Sequence, residues 1–369
     1  MLTSEEAKWA GARSFIGRVV RVNRASRFPL GCVERQSLRN SVQTRRRSMK
    51  RYVMLMLALA LGSSAALAQT GTFPDRPLRI VVPFAAGGNV DIVTRIVAGG
   101  LSDTLGQSVV VENKAGANGV IGAEAVARSA ADGYTLFIAT AETMALNPFL
   151  MKTVPYDPLK DFAAIGLMDD FPFTLTVNPQ LPVKTVADFV AYARANDGKL
   201  NFSSWGTGSI GQIAFEQFKQ ATGIRMEHIP FKGAAPAIMA VATGEVQAFM
   251  ATLSVARPQA ASGRVKILAI TTAERDPTAP DIPTLREMGV DVVIRGWHIL
   301  VAPAATPAAV LNRLNSALVA TVNRADISQK LVGVGVRPMT SSIEEARAMI
   351  QSENARWREV ARKAGLKAE

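Results

Sequence analysis

Residues able to make or break bonds are scarce in this chain. It has two histidines, His228 and His298. His228 falls in a stretch that reads as a strand (225–229), and His298 follows Trp297 ahead of an apolar run. An imidazole in such a setting is more often structural than catalytic. No HExxH and no paired cysteines are present, so neither a metal nor a cofactor is expected. A nucleophilic serine needs a base and an acid to orient it. Ser203, Ser204 and Ser209 lie outside any GxSxG frame, and no sequence signal names a partner for them. This inventory favours a protein that binds over one that converts.

Anion recognition is better supplied. Three connections join an apolar run to the start of a helical pattern through small residues. The first is Pro83-Phe84-Ala85-Ala86-Gly87-Gly88-Asn89-Val90-Asp91, the second Ser203-Ser204-Trp205-Gly206-Thr207-Gly208-Ser209, and the third Phe231-Lys232-Gly233-Ala234-Ala235-Pro236. Glycine lets the backbone approach a ligand, and the helix that follows offers unpaired N–H groups and the positive end of its dipole. The second loop adds four hydroxyls in seven residues. Any one such turn is ordinary in an α/β protein. Three of them meeting in one cleft would hold a carboxylate without an arginine clamp.

The elements that must position these loops alternate along the chain, as in an α/β fold. Strands are predicted at 78–83, 109–112 and 134–139, with helices at 91–105 and 120–129. After a strand at 173–177, a second set begins with a helix at 186–195. Strands follow at 200–203, 225–229, 246–250 and 265–271, and helices at 209–221 and 234–243. The tail reads as strands at 292–294 and 299–302, then helices at 307–323 and 343–364. The predicted organisation is two lobes, 69–171 plus 291–369 and 172–290, with the chain crossing near 172 and near 290.

Charge and cysteine use bound the setting. Of 42 basic and 30 acidic residues, 13 and 3 lie in residues 1–68, leaving 29 and 27 for the remainder. The formal charge of +12 therefore belongs mostly to the leader. The body lacks the cationic footprint of a nucleic-acid binder. Residues 50–68 have a basic start, the apolar run YVMLMLALAL and a small-x-small site at Ala66-Leu67-Ala68. That reads as a cleaved secretory signal, since the apolar run is about half the ~20 residues of a membrane span. Residues 1–48 read as an upstream extension before Met49. The single cysteine, Cys32, lies in the leader, so the exported chain is expected to hold together by burial alone.

At the loop residues the sequence resembles the Bug (TctC-like) family of tripartite tricarboxylate transporter periplasmic receptors. The likeness runs from 73 to 366. It includes FPDRPLRIVVPFAAGGNVDIVTRIVA at 73–98, GQSVVVENKAGANGVIGAEAVA at 106–127, LNFSSWGTGS at 200–209 and IPFKGAAPAIMAVATGEVQ at 229–247. The resemblance implies a two-lobed periplasmic binding protein fold (type II-like) with a ligand cleft between lobes. It also implies a monomeric receptor that delivers a small carboxylate to integral membrane subunits, with no catalysis and no nucleic acid. By motif, the ligand-binding residues are the backbone of Phe84, Ala86, Gly87, Gly88 and Asn89, then Thr140, Ala141, Glu142 and Thr143. The second lobe would add Ser203, Ser204, Gly206, Thr207, Gly208, Ser209, Lys232, Gly233 and Ala234. Asp91 is expected to cap its helix.

Departures from the family bear on specificity. Met144 stands where a His is frequent, and Ala251-Thr252 where Asp-Asn is frequent. Trp205 with Phe171 and Phe84 would wall the cleft for an aromatic or bulky acid, whereas Glu142 would receive the ammonium of an amino acid. Two other functions use the same residues. One is a sensor presenting a metabolite to a signalling partner, and the other an exported hydrolase working through the 203–209 loop.

Overall fold

The computed structural model describes residues 73–363. The leader read at 1–68 lies outside them. The first elements are β1 (Leu78–Val82), α1 (Asn89–Leu105), β2 (Val109–Asn113), α2 (Val120–Ala127), β3 (Thr135–Ala139), α3 (Asn147–Leu150) and β4 (Phe162–Val177). Then come α4 (Val186–Ala195), β5 (Asn201–Ser204), α5 (Ile210–Thr222), β6 (Glu227–Pro230), α6 (Ala234–Thr243), β7 (Ala248–Thr252), α7 (Leu253–Ala261) and β8 (Lys266–Ile270). The chain closes with β9 (Arg295–Pro303), α8 (Ala308–Val322), α9 (Ala325–Gly333), β10 (Arg337–Pro338) and α10 (Ile343–Lys363).

Local sequence explains the main elements. In β1 Leu78, Ile80, Val81 and Val82 are buried and Arg79 alone is exposed, a mostly apolar strand covered on both faces. Helix α1 buries Val90, Val93, Val97, Leu101 and Leu105 along one side, and Gly106 ends it in the left-handed region with its N–H on the Ser102 carbonyl. In α5 Ile210, Ala214, Phe215 and Phe218 face inward. The Phe215 ring stacks on Phe202 of β5 with centroids 4.1 Å apart. Helix α4 opens with a reciprocal Thr185–Asp188 capping box.

The strands form one sheet in two sections that share β4. The first section runs β2-β1-β3-β9-β4-β10 and the second β8-β4-β7-β5-β6. Strand β4 pairs antiparallel with β9 as far as Pro172. From Phe173 onward it lies between β7 and β8. Proline has no N–H to give to a ladder. The next donor, the Phe173 N–H, goes to the Thr271 hydroxyl at 3.0 Å, which in turn donates to the Ile294 carbonyl at 2.7 Å. A side chain therefore stitches the point where the two sections part.

Several elements differ from the sequence expectation. The strand expected at 173–177 is the end of a 16-residue β4, because Pro172 sits inside it at the changeover. Residues 292–294 are loop, and β9 begins at Arg295, opposite Pro172. Helix α7 was not expected, since Arg257 and Pro258 break its apolar period. Helix α9 was also unforeseen, having two fully inward side chains, Ile327 and Leu331.

Candidate ligand site

The first loop is held from within its own helix. Gly87 adopts φ +81° and its N–H donates to Asp91 Oδ2 at 3.0 Å. Asp91 Oδ1 also accepts from Arg95 Nε at 3.0 Å and Asn113 Nδ2 at 2.9 Å. Burial pushes the Asp91 carboxyl up in pKa, but the bonds from Arg95, Gly87 and Asn113 outweigh it and hold the group below its ordinary value. Asp91 therefore braces the loop from the first turn of α1, while Gly88 occupies the N-cap and has no side-chain cap. Gly233 plays the same part for α6, at φ +122°. These two loops meet. A Cβ placed on Gly88 would lie 3.9 Å from the Ala234 methyl, and one on Gly233 would lie 3.2 Å from that of Ala85. Only glycine permits this approach at the Gly233 backbone angle.

The segment after β3 supplies the acid. Thr143 Oγ1 accepts the Thr140 N–H at 3.1 Å and so shapes the turn. Residues Glu142–Leu146 form a π-helical turn, a form often found at functional sites. It is fastened by Tyr156, whose hydroxyl donates to the Thr143 carbonyl at 2.8 Å, and by Asn354 of α10, whose amide donates to the Met144 carbonyl at 3.0 Å. Glu142 is 3% exposed. Its Oε1 accepts from Trp205 Nε1 and from the Ile210 N–H, both at 3.2 Å. An acid from the first section thus sits at the positive end of α5 in the second. Two further bonds span the same gap: Asn118 Nδ2 to the Gly208 carbonyl at 3.1 Å, and Ser254 Oγ to Asn89 Oδ1 at 2.6 Å.

Between these segments lies a narrow cavity with ≈ 40 Å³ of space open to water-sized molecules, room for roughly three waters. A row of rings runs along the junction. His298 stacks on Phe171 at 4.7 Å, Phe171 meets Phe173 edge-on at 5.6 Å, and Phe173 stacks with Trp205 at 6.0 Å. Four wall residues, Asn89, Thr140, Trp297 and His298, each retain a buried polar atom with no hydrogen-bond partner. Such atoms cost about 1–3 kcal/mol each when left unpaired, and they are rare in native proteins unless a ligand or water meets them.

Of the residues singled out in the sequence, Phe84, Gly88, Asn89, Thr140, Ala141, Glu142, Phe171, Trp205, Gly233 and Ala234 line this cavity. The others lie outside its wall for identifiable reasons. Ala86, Gly87, Thr207 and Lys232 are exposed. Gly206 and Gly208 shape the turn and spend their polar groups on the protein: the Gly206 carbonyl accepts from Ser204 Oγ, and the Gly208 N–H donates to Gln212. Thr143 is the brace already described, and Ser209 caps α5. Ser203 is spent on the Ala237 carbonyl at 3.2 Å, and the Ala251 carbonyl accepts from Thr174 at 3.1 Å. Met144 is fully buried in the core. Ser204 Oγ lies 2.7 Å from His228 Nε2, a pairing with no signal in the local sequence. No carboxylate bonds to that ring among the described residues, and neither Ser204 nor His228 reaches the cavity wall.

Ile210, Thr252, Gly296, Trp297 and His298 line the cavity without having been singled out as ligand residues. Three of them come from β9, whose place beside β4 depends on pairing across more than a hundred residues. Among the described residues no group of three or more His, Cys, Asp or Glu is arranged to hold a metal ion.

The geometry agrees with comparisons to known proteins. The sequence profile of the tripartite tricarboxylate transporter family receptor matches residues 93–366. BugT of Bordetella pertussis is 33% identical over 311 residues, which make up 84% of this chain and 95% of BugT. Among solved structures, Rpa4515 of R. palustris with adipate is similar at a TM-score of 0.78 and 35% identity, covering 80% of this chain and 100% of the other. The periplasmic binding protein BugD gives 0.76 at 33% identity, with 80% and 100% covered. MatC from Rhodopseudomonas palustris with bound malate gives 0.73 at 31%, with 78% and 100% covered. The loops that meet across the shared strand are those of a two-lobed solute-binding fold, and the chain belongs to the tripartite tricarboxylate transporter receptor family.

Proposed function

We propose that the protein is a periplasmic receptor that binds a small carboxylate between its two lobes and hands it, unaltered, to the integral membrane subunits of a tripartite transporter. The observation that carries this reading is the set of unpartnered buried polar atoms on Asn89, Thr140 and His298 around one cavity. They lie beside two glycine loops that open α1 and α6 without side-chain caps. Oxygen atoms of a carboxylate satisfy such groups at short range. Adipate and malate in the two similar structures belong to the same chemical class. The Ser204–His228 pair lacks an orienting acid and stands off the cavity, which supports binding without turnover.

In this reading the lobes are 69–171 plus 291–369 and 172–290, and the chain acts as a monomer exported by a cleaved signal at 49–68. The aromatic wall of Phe84, Phe171 and Trp205 admits bulky acids. A ligand that binds only the folded form stabilises it by about 2.7 kcal/mol at a hundred times its Kd. A thermal-shift panel of C3–C8 diacids, aromatic acids and amino acids should therefore contain at least one carboxylate that raises Tm by several degrees and returns chemically unchanged. A flat response across the panel, or conversion of the bound acid, would overturn the proposal.

A further inference from the structure

Two open cavities lie side by side along the C-terminal helix α10 and share no wall residue with the ligand cavity. One, of ≈ 470 Å³, opens between α3, the loop that follows it, and Asn354 and Arg358 of α10. The other, of ≈ 310 Å³, opens between the start of β4, Leu311 of α8, and Ile343, Arg347 and Ile350 of α10. Both are bounded by Pro158-Leu159-Lys160, a ridge on which Leu159 is 41% exposed. Phe149, Met151 and Val154 make the first bay apolar.

Charge sets this groove apart. Lys152, Lys160, Arg347 and Arg358 stand on its walls against a single acid, Asp157. Among the described residues only Lys160 of these four is ion-paired, with Asp157 at 2.8 Å. Residues 69–369 as a whole carry 29 basic and 27 acidic groups, so the excess here is a local concentration. Helix α10 is patterned to give it. Ile343, Arg347, Ile350, Asn354 and Arg358 recur every three or four residues, one face of a helix. Its acids are used elsewhere: Glu345 accepts the Ser342 N–H at 2.8 Å, and Glu353 pairs with Arg356 at 3.1 Å.

Shape narrows the partner. From Ile343 to Arg358 the face runs about 22 Å at 1.5 Å per residue, longer than a metabolite, and a flat bilayer would leave both bays unfilled. A helix laid along the groove sends apolar side chains into the two bays at one-turn and two-turn spacing and holds carboxylates at the rim. Tyr156 and Asn354 in the first bay also fasten the π-helical turn that carries Glu142, so a partner seated here touches the segment that reaches the ligand cavity. We propose that this groove docks an acidic amphipathic helix of a partner protein, its apolar face in the two bays and its carboxylates on Lys152, Arg347 and Arg358. The inference goes beyond the receptor reading and does not depend on it.

The probe is a fluorescein-labelled peptide of about five helical turns, with leucines along one side and glutamates on the flanks, read by fluorescence anisotropy at low ionic strength. Two control peptides of equal length have the same composition in scrambled order, or lysine in place of glutamate. Wild type should bind the acidic amphipathic peptide at least tenfold more tightly than either, and added salt should weaken the complex. The double variant Arg347→Glu with Arg358→Glu, both exposed positions, should keep its Tm, lose at least tenfold for the acidic peptide and gain affinity for the lysine one. Leu159→Ser should lose several-fold with no change of charge. Arg264→Glu, an exposed cation outside the groove, should stay within twofold of wild type. Equal affinity for ordered and scrambled peptides, or a double variant that binds as wild type does, would overturn the proposal. So would adsorption to phosphatidylglycerol vesicles, abolished in the double variant, with no peptide bound, since that would assign the face to a lipid surface.

Discussion

Glu142 sets two demands against each other at a single residue. Its carboxylate satisfies the Trp205 indole and the first N–H of α5, yet it adds a negative charge to a cavity read as an anion site. Glu142→Gln keeps an oxygen for both donors and removes the charge. In a partly buried cleft with an effective dielectric near 20, relief of one like charge is worth on the order of 1.4 kcal/mol, or tenfold in Kd. Calorimetry should therefore show tighter carboxylate binding by about that factor. A weaker complex would mean that Glu142 faces a cationic group on the ligand, the ammonium expected of an amino acid. Legibility at this scale was uneven. Glu142 and Trp205 stood out because they interrupt runs of small residues. Thr252 and His298 were noticed as residues but not as part of the cavity wall, because their places there are set by pairing with β4 across the sheet.

At the scale of elements, the β1–α1 turn shows how one acid organises a loop. Asp91 holds Gly87, Arg95 and Asn113 together, and Asn113 also donates to the Phe84 carbonyl at 3.1 Å. Asp91→Asn should cost about 2 kcal/mol at neutral pH, the range of hydrogen bonds to charged groups. The folded-state pKa lies below the ordinary 3.8, so the stabilisation is complete above 3.8 and is lost as pH falls through the lower folded value. Urea titrations of wild type and variant should thus differ most at neutral pH and converge below pH 3.8. Elements with their own punctuation were legible in the sequence. Helix α1 has its apolar stripe and terminal Gly106, and α6 has glycines at both ends. The upstream part of β4 and the start of β9 were not, because Pro172 and Arg295 take their conformations from each other across the sheet and from Thr271.

For the whole molecule, the junction between the two sections is strapped by charge. Arg295 donates to Asp170 at 2.6 and 2.9 Å and to Asp276 at 2.8 Å, and Arg337 pairs with Asp170 from β10. The Asp276 side chain is 1% exposed, so Arg295→Met leaves an acid buried with one partner fewer. Chemical denaturation should register a loss of about 3 kcal/mol, the lower end for a broken buried pair, with the loss shrinking if Asp276→Asn is added. In the proposed reading the two sections move against each other on binding, and β4, with a proline and a borrowed hydroxyl at its midpoint, is the place to flex. Since β4 serves both sections, no single cut in the backbone yields two self-sufficient pieces. Fragment complementation or gene fusion at residues 162–177 would orphan one sheet, whereas an exposed turn such as Ser262-Gly263 leaves both intact and offers the natural port for a fluorescent reporter.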